Sequence, residues 1–195
     1  MARPRSISDE QLLAAVSAVI SRRGPDFTVA DVAEQAGVAV GTVAHRFGSR
    51  AGLLHAFITA GTGSVVHRLR AAGARGRPPV ATLADALAGW FADLGDPATV
   101  ANHLAQLGTE LADPRTRELL AAHFAAVRAE VRGLLLAAAA DLPGAPPAER
   151  AAGLLVALVN GVAMDWAIRP VGSLVDRVRG DVDAVLAGWT ERRNR

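Results

Sequence analysis

Apolar residues recur every three or four positions along nearly the whole chain, and period-two alternation is almost missing. This pattern predicts an all-α protein of about nine helices. The first helix begins at Ser8, which forms a capping box with Gln11, while Ile7 can staple against Leu12. Leu12, Leu13, Val16, Val19 and Ile20 make its buried stripe, and Gly24-Pro25 stops it. Two short helices follow between Thr28 and Phe47. A longer one opens near Ser49, with Leu53, Leu54, Phe57 and Ile58 as apolar positions. Gly61 and Gly63 fall inside it, each weakening a helix by about 1 kcal/mol relative to alanine, and they indicate close helix packing or a bend. The segment Gly73 to Pro79, GARGRPP, is the strongest linker and a candidate boundary. Beyond it the pattern predicts helices near 80–94, 97–111, 114–141, 147–168 and 173–192, punctuated by prolines.

The stretch from Thr28 to Phe47 carries the chemistry. Thr28 is a natural N-cap and Asp31 completes an acidic capping box. Val32, Ala33 and Ala36 face inward, and the small Ala33 marks a close helix crossing. Gly37 stands where the turn needs a left-handed backbone. Val38 plugs the turn, and Val43 packs the second helix onto the first. This is the helix-turn-helix arrangement, which lays its second helix in the DNA major groove. With Val38, Val43 and Phe47 used in packing, the outer face holds Ala39, Val40, Gly41, Thr42, Ala44, His45 and Arg46. Thr42 offers a hydroxyl to phosphate and a methyl to thymine. His45 and Arg46 reach phosphates or base edges, and Gly41 permits close backbone approach. Thr28 can donate to a phosphate beside its helix N-terminus. Arg3 and Arg5 can add attraction or enter the minor groove.

Charge supports this placement. Net charge is +2, yet residues 1–77 hold 10 Arg against 5 acids and residues 78–195 hold 11 Arg against 14 acids. A basic front and an acidic back suit a polyanion-binding head on a different body.

The motif is followed by F-G-S-R-A-G-L-L, a tight corner that opens the next helix. Here the chain resembles the TetR/AcrR family of bacterial transcriptional regulators, whose pattern has a threonine cap, A-x-x-A-G-V, then G-T-L-Y-x-H-F-x-S-K-x-x-L-L. Thr28, Ala33, Ala36-Gly37-Val38, Gly41-Thr42-Val43, Phe47, Ser49, Arg50 and Leu53-Leu54 stand in register, over roughly residues 8–57. The resemblance implies phosphate contact by Arg50, where the family has lysine. Ala44 replaces a phosphate-contacting tyrosine, and Arg46 replaces a histidine. It also implies a helix-turn-helix domain over 1–55 and a helical ligand-binding and dimerisation domain over 56–195.

Two long helices near the C-terminus suit pairing into a homodimer. Val175, Val178, Val182, Val185 and Trp189 recur at heptad spacing, and Gly153, Ala157 and Gly161 form a small-residue row. A dimer would span two operator half-sites about 34 Å apart. For an apolar effector pocket, which the resemblance implies, the candidates are Trp90, Phe91, Leu94, His103, Leu107 and Phe124, with Asn160, Met164 and Trp166 from the penultimate helix. The ligand would be apolar or amphipathic and would shift the population of dimer states, with the Ser49-to-Ala72 helix as lever.

Cysteine is absent, which excludes disulfides and thiolate chemistry. No G-x-S-x-G, P-loop, H-E-x-x-H or paired metal-spaced histidines occur, so neither enzyme, metal nor cofactor is expected. The apolar run Ala151–Ile168 reaches the lower limit of spanning length, but Asn160 and Asp165 interrupt it. A buried or dimer-forming helix and a cytoplasmic protein are the reading. A helical small-molecule or lipid carrier is the alternative, and within the regulator class the choice between repressor and activator stays open.

Overall fold

A computed structural model describes residues 7–191. Among these, nine α-helices and three short 3-10 turns occur, and no strand. The described residues divide into two compact units, one formed by the stretch up to residue 61 with 101–120 and the other by 62–100 with the stretch from residue 121. The first is discontinuous, unlike the contiguous division expected at residue 55.

In the first unit, α1 (Asp9–Arg23), α2 (Val29–Ala36), α3 (Val40–Phe47) and the first half of α4 (Arg50–Gly73) enclose one core. Leu12, Val16, Val19 and Ile20 of α1 meet Phe27, Val32, Ala33, Val43 and Leu53 there, all almost fully buried. The α1 cap forms as its sequence predicts: Ser8 Oγ accepts from Gln11 N, and Gln11 Oε1 accepts from Ser8 N. Gly24 ends α1 at φ +57°, and a 3-10 turn over Gly24–Asp26 leads to Phe27.

The remainder of this unit comes from α6 (Pro97–Ala112) and the start of α7 (Pro114–Ala137). Asn102 donates to the Ser21 carbonyl at 2.7 Å, and His103 Nε2 lies 3.2 Å from Ser21 Oγ. Thr116 Oγ1 lies 3.3 Å from His55 Nε2. Buried Gln106 donates to Glu110 at 2.9 Å, while Gln106 Oε1 has no hydrogen-bond partner among the described residues. Burial pushes the Glu110 carboxyl above its ordinary range, against smaller opposing effects of Gln106 and Arg50. The links to Ser21 and His55 tie residues 101–120 to α1 and α4, and no hydrophobic period could announce them.

In the second unit, α9 (Leu174–Thr190) packs on both α5 (Pro79–Ala88) and α8 (Ala148–Ile168). Leu174, Val178, Val182 and Leu186, spaced by four, are its buried stripe. Leu83 and Leu87 of α5 and Leu155, Val159 and Trp166 of α8 are buried with them. Asp85 joins Arg77 and Arg179 in ion pairs. The helix expected over 80–94 stops at Ala88, and Gly89–Phe91 continues as a 3-10 turn. Likewise α7 gives way at Ala137 to a turn over Ala139–Asp141. Helix α8 is long and apolar enough to cross a membrane, but Ala151, Leu155, Val159 and Trp166 are buried in the protein's own core.

Gly61 and Gly63 lie within an unbroken α4, and nothing stands within 4 Å of where a Cβ would be. Close packing does not explain them.

Candidate nucleic-acid interface

The geometry of the turn follows from one glycine. Gly37 adopts φ +67° and ψ +34°, the left-handed conformation that costs most residues about 1–2 kcal/mol. Its N–H reaches the Ala33 and Glu34 carbonyls, and Val38 N reaches Ala33 O at 3.0 Å. This ends α2 and redirects the chain into α3. Val43 is 1% exposed, and Val38 and Phe47 pack partly buried against the same core, so α3 sits on α2 by its inner face. Val40, Gly41, Ala44, His45 and Arg46 are exposed, and Thr42 is half-buried. Among the described residues, neither Thr42 nor His45 has a side-chain hydrogen-bond partner.

The next corner depends on Gly52, which the sequence pattern did not single out. A Cβ there would lie 2.1 Å from the Phe47 carbonyl oxygen, so only glycine fits. Ser49 Oγ accepts from Gly52 N at 3.1 Å and opens α4. A glycine at a helix's first turn, just after a capping serine, is the signal that could have marked it.

Three expected contacts have internal partners instead. Arg50 Nε donates to the Phe27 carbonyl at 3.0 Å and Nη2 to the Pro25 carbonyl at 2.8 Å. Its guanidinium lies 4.2 Å from the Phe27 ring centroid. Arg50 thus ties the turn before α2 to α4, and a phosphate role would compete with that. Thr28 Oγ1 donates to Asp31 Oδ2 at 2.8 Å, so its one proton is engaged in the capping box. The Thr28 hydroxyl and N–H hold the Asp31 carboxyl below its ordinary range. Arg46 Nη1 donates to the Ile7 carbonyl at 2.6 Å and pairs with Asp9 at 3.1 Å. Arg46 therefore ties α3 to the start of α1. Arg3 and Arg5 lie outside the described residues.

Residues 12–57 match the sequence profile of bacterial regulatory proteins of the tetR family. The profile covers this helix-turn-helix and the helices on either side of it. This N-terminal segment is of the tetR type.

Solved structures agree on the fold. A transcriptional regulator from Rhodococcus sp. Rha1 shares 24% identity at TM-score 0.73, covering 95% of this chain and 99% of that one. SmeT of Stenotrophomonas maltophilia, the repressor of the multidrug efflux pump SmeDEF, shares 20% at TM-score 0.70, covering 94% and 91%. The fatty acid degradation regulator FadR of Bacillus halodurans shares 18% at TM-score 0.75, covering 93% and 99%. No curated protein matches the sequence. The fold is the one seen in tetR-family transcriptional regulators. Among the described residues no His, Asp or Glu group could hold a metal ion.

The expected effector residues scatter. His103 and Leu107 belong to the first unit, the others to the second. His103 is tied to Ser21, and burial lowers its basicity. Trp166 is buried, its Nε1–H donating to the Gly172 carbonyl at 3.2 Å, a core role. Asn160 donates to the Val156 carbonyl of its own helix. Met164 is 52% exposed and faces out. What gathers is aromatic: Trp90 stacks on Phe91 at 5.5 Å, and His123 lies 6.3 Å from Trp90 and 5.2 Å from Phe124. His123 Nδ1 is 2.9 Å from Thr62 Oγ1. Leu94 is half-buried.

The expected dimer residues also divide. Val178 and Val182 are fully buried in the protein's own core, because α9 turns that stripe towards α5 and α8. They cannot meet a second copy. Val175, Val185 and Trp189 are half-buried. Ala157 and Gly161 are exposed and Gly153 half-buried, with open space at both glycines. A groove of about 1060 Å3, lined by residues 143–147, Arg150, Leu154, Ala184, Val185, Gly188 and Trp189, adjoins that face.

Proposed function

We propose that this chain is a repressor that binds double-stranded operator DNA as a homodimer and leaves it when a small apolar or amphipathic molecule binds. The observation that carries the reading is α3: an outer face of exposed residues on a helix set by a left-handed glycine. In this reading residues 1–55 read DNA, with Val40, Gly41, Thr42, Ala44 and His45 at the groove. The second unit dimerises and senses the effector in the cytoplasm.

The dimer face is the outer side of α8. Leu154, Ala157, Gly161, Met164 and Ile168 are all exposed and recur at alternating spacings of three and four, the pattern of a helix–helix seam. Leu154, Met164 and Ile168 are 49%, 52% and 71% exposed, far more than an ordinary soluble surface needs at one place. Ala184, Val185 and Gly188 extend the seam on α9. The effector site centres on Trp90, Phe91, His123 and Phe124, an apolar wall with one polar edge. SmeT represses a multidrug efflux pump and FadR regulates fatty acid degradation, and both roles favour amphipathic effectors.

The test is binding of the full chain to DNA from its own promoter region, by anisotropy across a salt series. Affinity should fall linearly with log salt. A long-chain acyl probe should then quench tryptophan fluorescence and release the DNA. A protein that takes up the probe but shows no salt-dependent DNA binding is a carrier.

A further inference from the structure

The outer face of α3 is poor in groups that read bases by forked hydrogen bonds. Successive residues turn by about 100° around a helix. Val40 and Ala44 therefore share one flank, Gly41 and His45 the centre, and Thr42 and Arg46 the other flank. Val40 is 48% exposed, Ala44 is exposed beside it, and nothing lies within 4 Å of a Cβ built on Gly41. The result is an apolar patch on the face that the turn geometry presents to the groove. A lone exposed valine needs no explanation. Here the valine, the alanine and the bare backbone adjoin.

Forked hydrogen bonding in the major groove is the work of Arg or Lys on guanine, Asn or Gln on adenine, and Asp or Glu on cytosine. Helix α3, VGTVAHRF, contains one such residue, Arg46. Its Nη1 is held by the Ile7 carbonyl at 2.6 Å and by Asp9 at 3.1 Å, which draws it towards the start of α1. What remains for bases is chiefly methyl-sized: Val40 and Ala44, with the Thr42 methyl. The feature of the major groove that such groups recognise is the C5 methyl of thymine.

We propose that α3 selects its operator through thymine C5 methyl groups packed against Val40 and Ala44, rather than through forked hydrogen bonds to guanine or adenine. His45 adds a single hydrogen bond to a base edge or phosphate, and Arg46 sets the angle of α3 without choosing a base. The proposal rests on the operator-binding reading above and specifies how the operator is chosen.

The experiment selects binding sequences for the full chain from random duplex DNA. Each thymine of the selected half-site is then replaced singly by uracil, which removes only the methyl. At one or two positions binding should weaken about fourfold, the worth of one buried methyl-sized group. Val40→Ala should erase the thymine-over-uracil preference at one of them, and Arg46→Gln should lower affinity while the selected sequence stays the same. The proposal is overturned by a half-site without thymine, by uracil substitutions that all leave binding unchanged, or by a shift of the selected guanines in Arg46→Gln. In each case operator binding itself stands. If no sequence is enriched and no salt-dependent DNA binding is seen, the operator-binding reading fails as well.

Discussion

Removing the Arg50 side chain separates two roles that its position would otherwise confound. Its Nε and Nη2 donate to the Phe27 and Pro25 carbonyls at 3.0 and 2.8 Å, and its guanidinium covers the Phe27 ring. Hydrogen bonds from a charged donor contribute about 1.5–3 kcal/mol each, and an exposed cation–π contact about 0.5–1 kcal/mol. Two bonds at the low end plus the stacking give about 3.5 kcal/mol. Arg50 is only partly buried, so water can replace the donors, and about 2 kcal/mol is expected for Arg50→Ala. Arg50→Lys keeps the charge but loses the fork, and should cost about half as much. All three tryptophans, Trp90, Trp166 and Trp189, lie in the other unit, so fluorescence is blind to this change. Amide hydrogen exchange over residues 24–36 reports it directly, and 2 kcal/mol corresponds to about thirtyfold faster exchange there. Salt dependence supplies the second readout. A phosphate contact contributes about 0.9 to the slope of log affinity against log salt for each copy bound. We expect faster exchange with an unchanged slope. Unchanged exchange with a slope lower by that amount would refute the structural role and restore the phosphate contact.

Three further outcomes follow from the same contacts. Met164→Glu should yield a folded monomer by sedimentation, whereas Val182→Glu should unfold the second unit, because Val182 is fully buried; a folded monomer from Val182→Glu would contradict the packing of α9. Glu110→Gln should stabilise the first unit at pH 7. Burial raises the Glu110 carboxyl above its ordinary 4.5, so folding takes up a proton; stability is fullest below 4.5 and is lost as pH rises through the folded value. The variant should flatten that decline in urea titrations at several pH values. Gly61→Ala and Gly63→Ala should each stabilise by about 1 kcal/mol in thermal melts, since α4 is helical there and a Cβ meets nothing; if DNA release by the effector is also unchanged, the glycines supply no bend.

Local rules carried the reading far. The caps at Ser8 and Thr28, the left-handed Gly37 and the buried Val43 depend on a few neighbouring residues and on helical periodicity, so their roles are legible along the chain. The partners of charged side chains are not. Arg46 and Arg50 look alike in sequence, as basic residues beside the reading helix. Only the fold brings Ile7 and Asp9 to one, and Pro25 and Phe27 to the other. The same limit applies to α9, where a heptad spacing of valines shows that a face is apolar but not whether it meets this chain or another copy. Spacing alone turns Val178 and Val182 outward, while the core claims them.

By itself, then, the sequence determined the helices, their caps and the glycine turn that makes α3 a reading helix, because backbone conformation answers to short-range sterics and hydrogen bonds. Tertiary structure decided which face of α9 is core, that residues 101–120 join the head, and which arginines already have partners. Those outcomes depend on groups far apart in sequence, whose long side chains can satisfy their charge in several ways until packing leaves one.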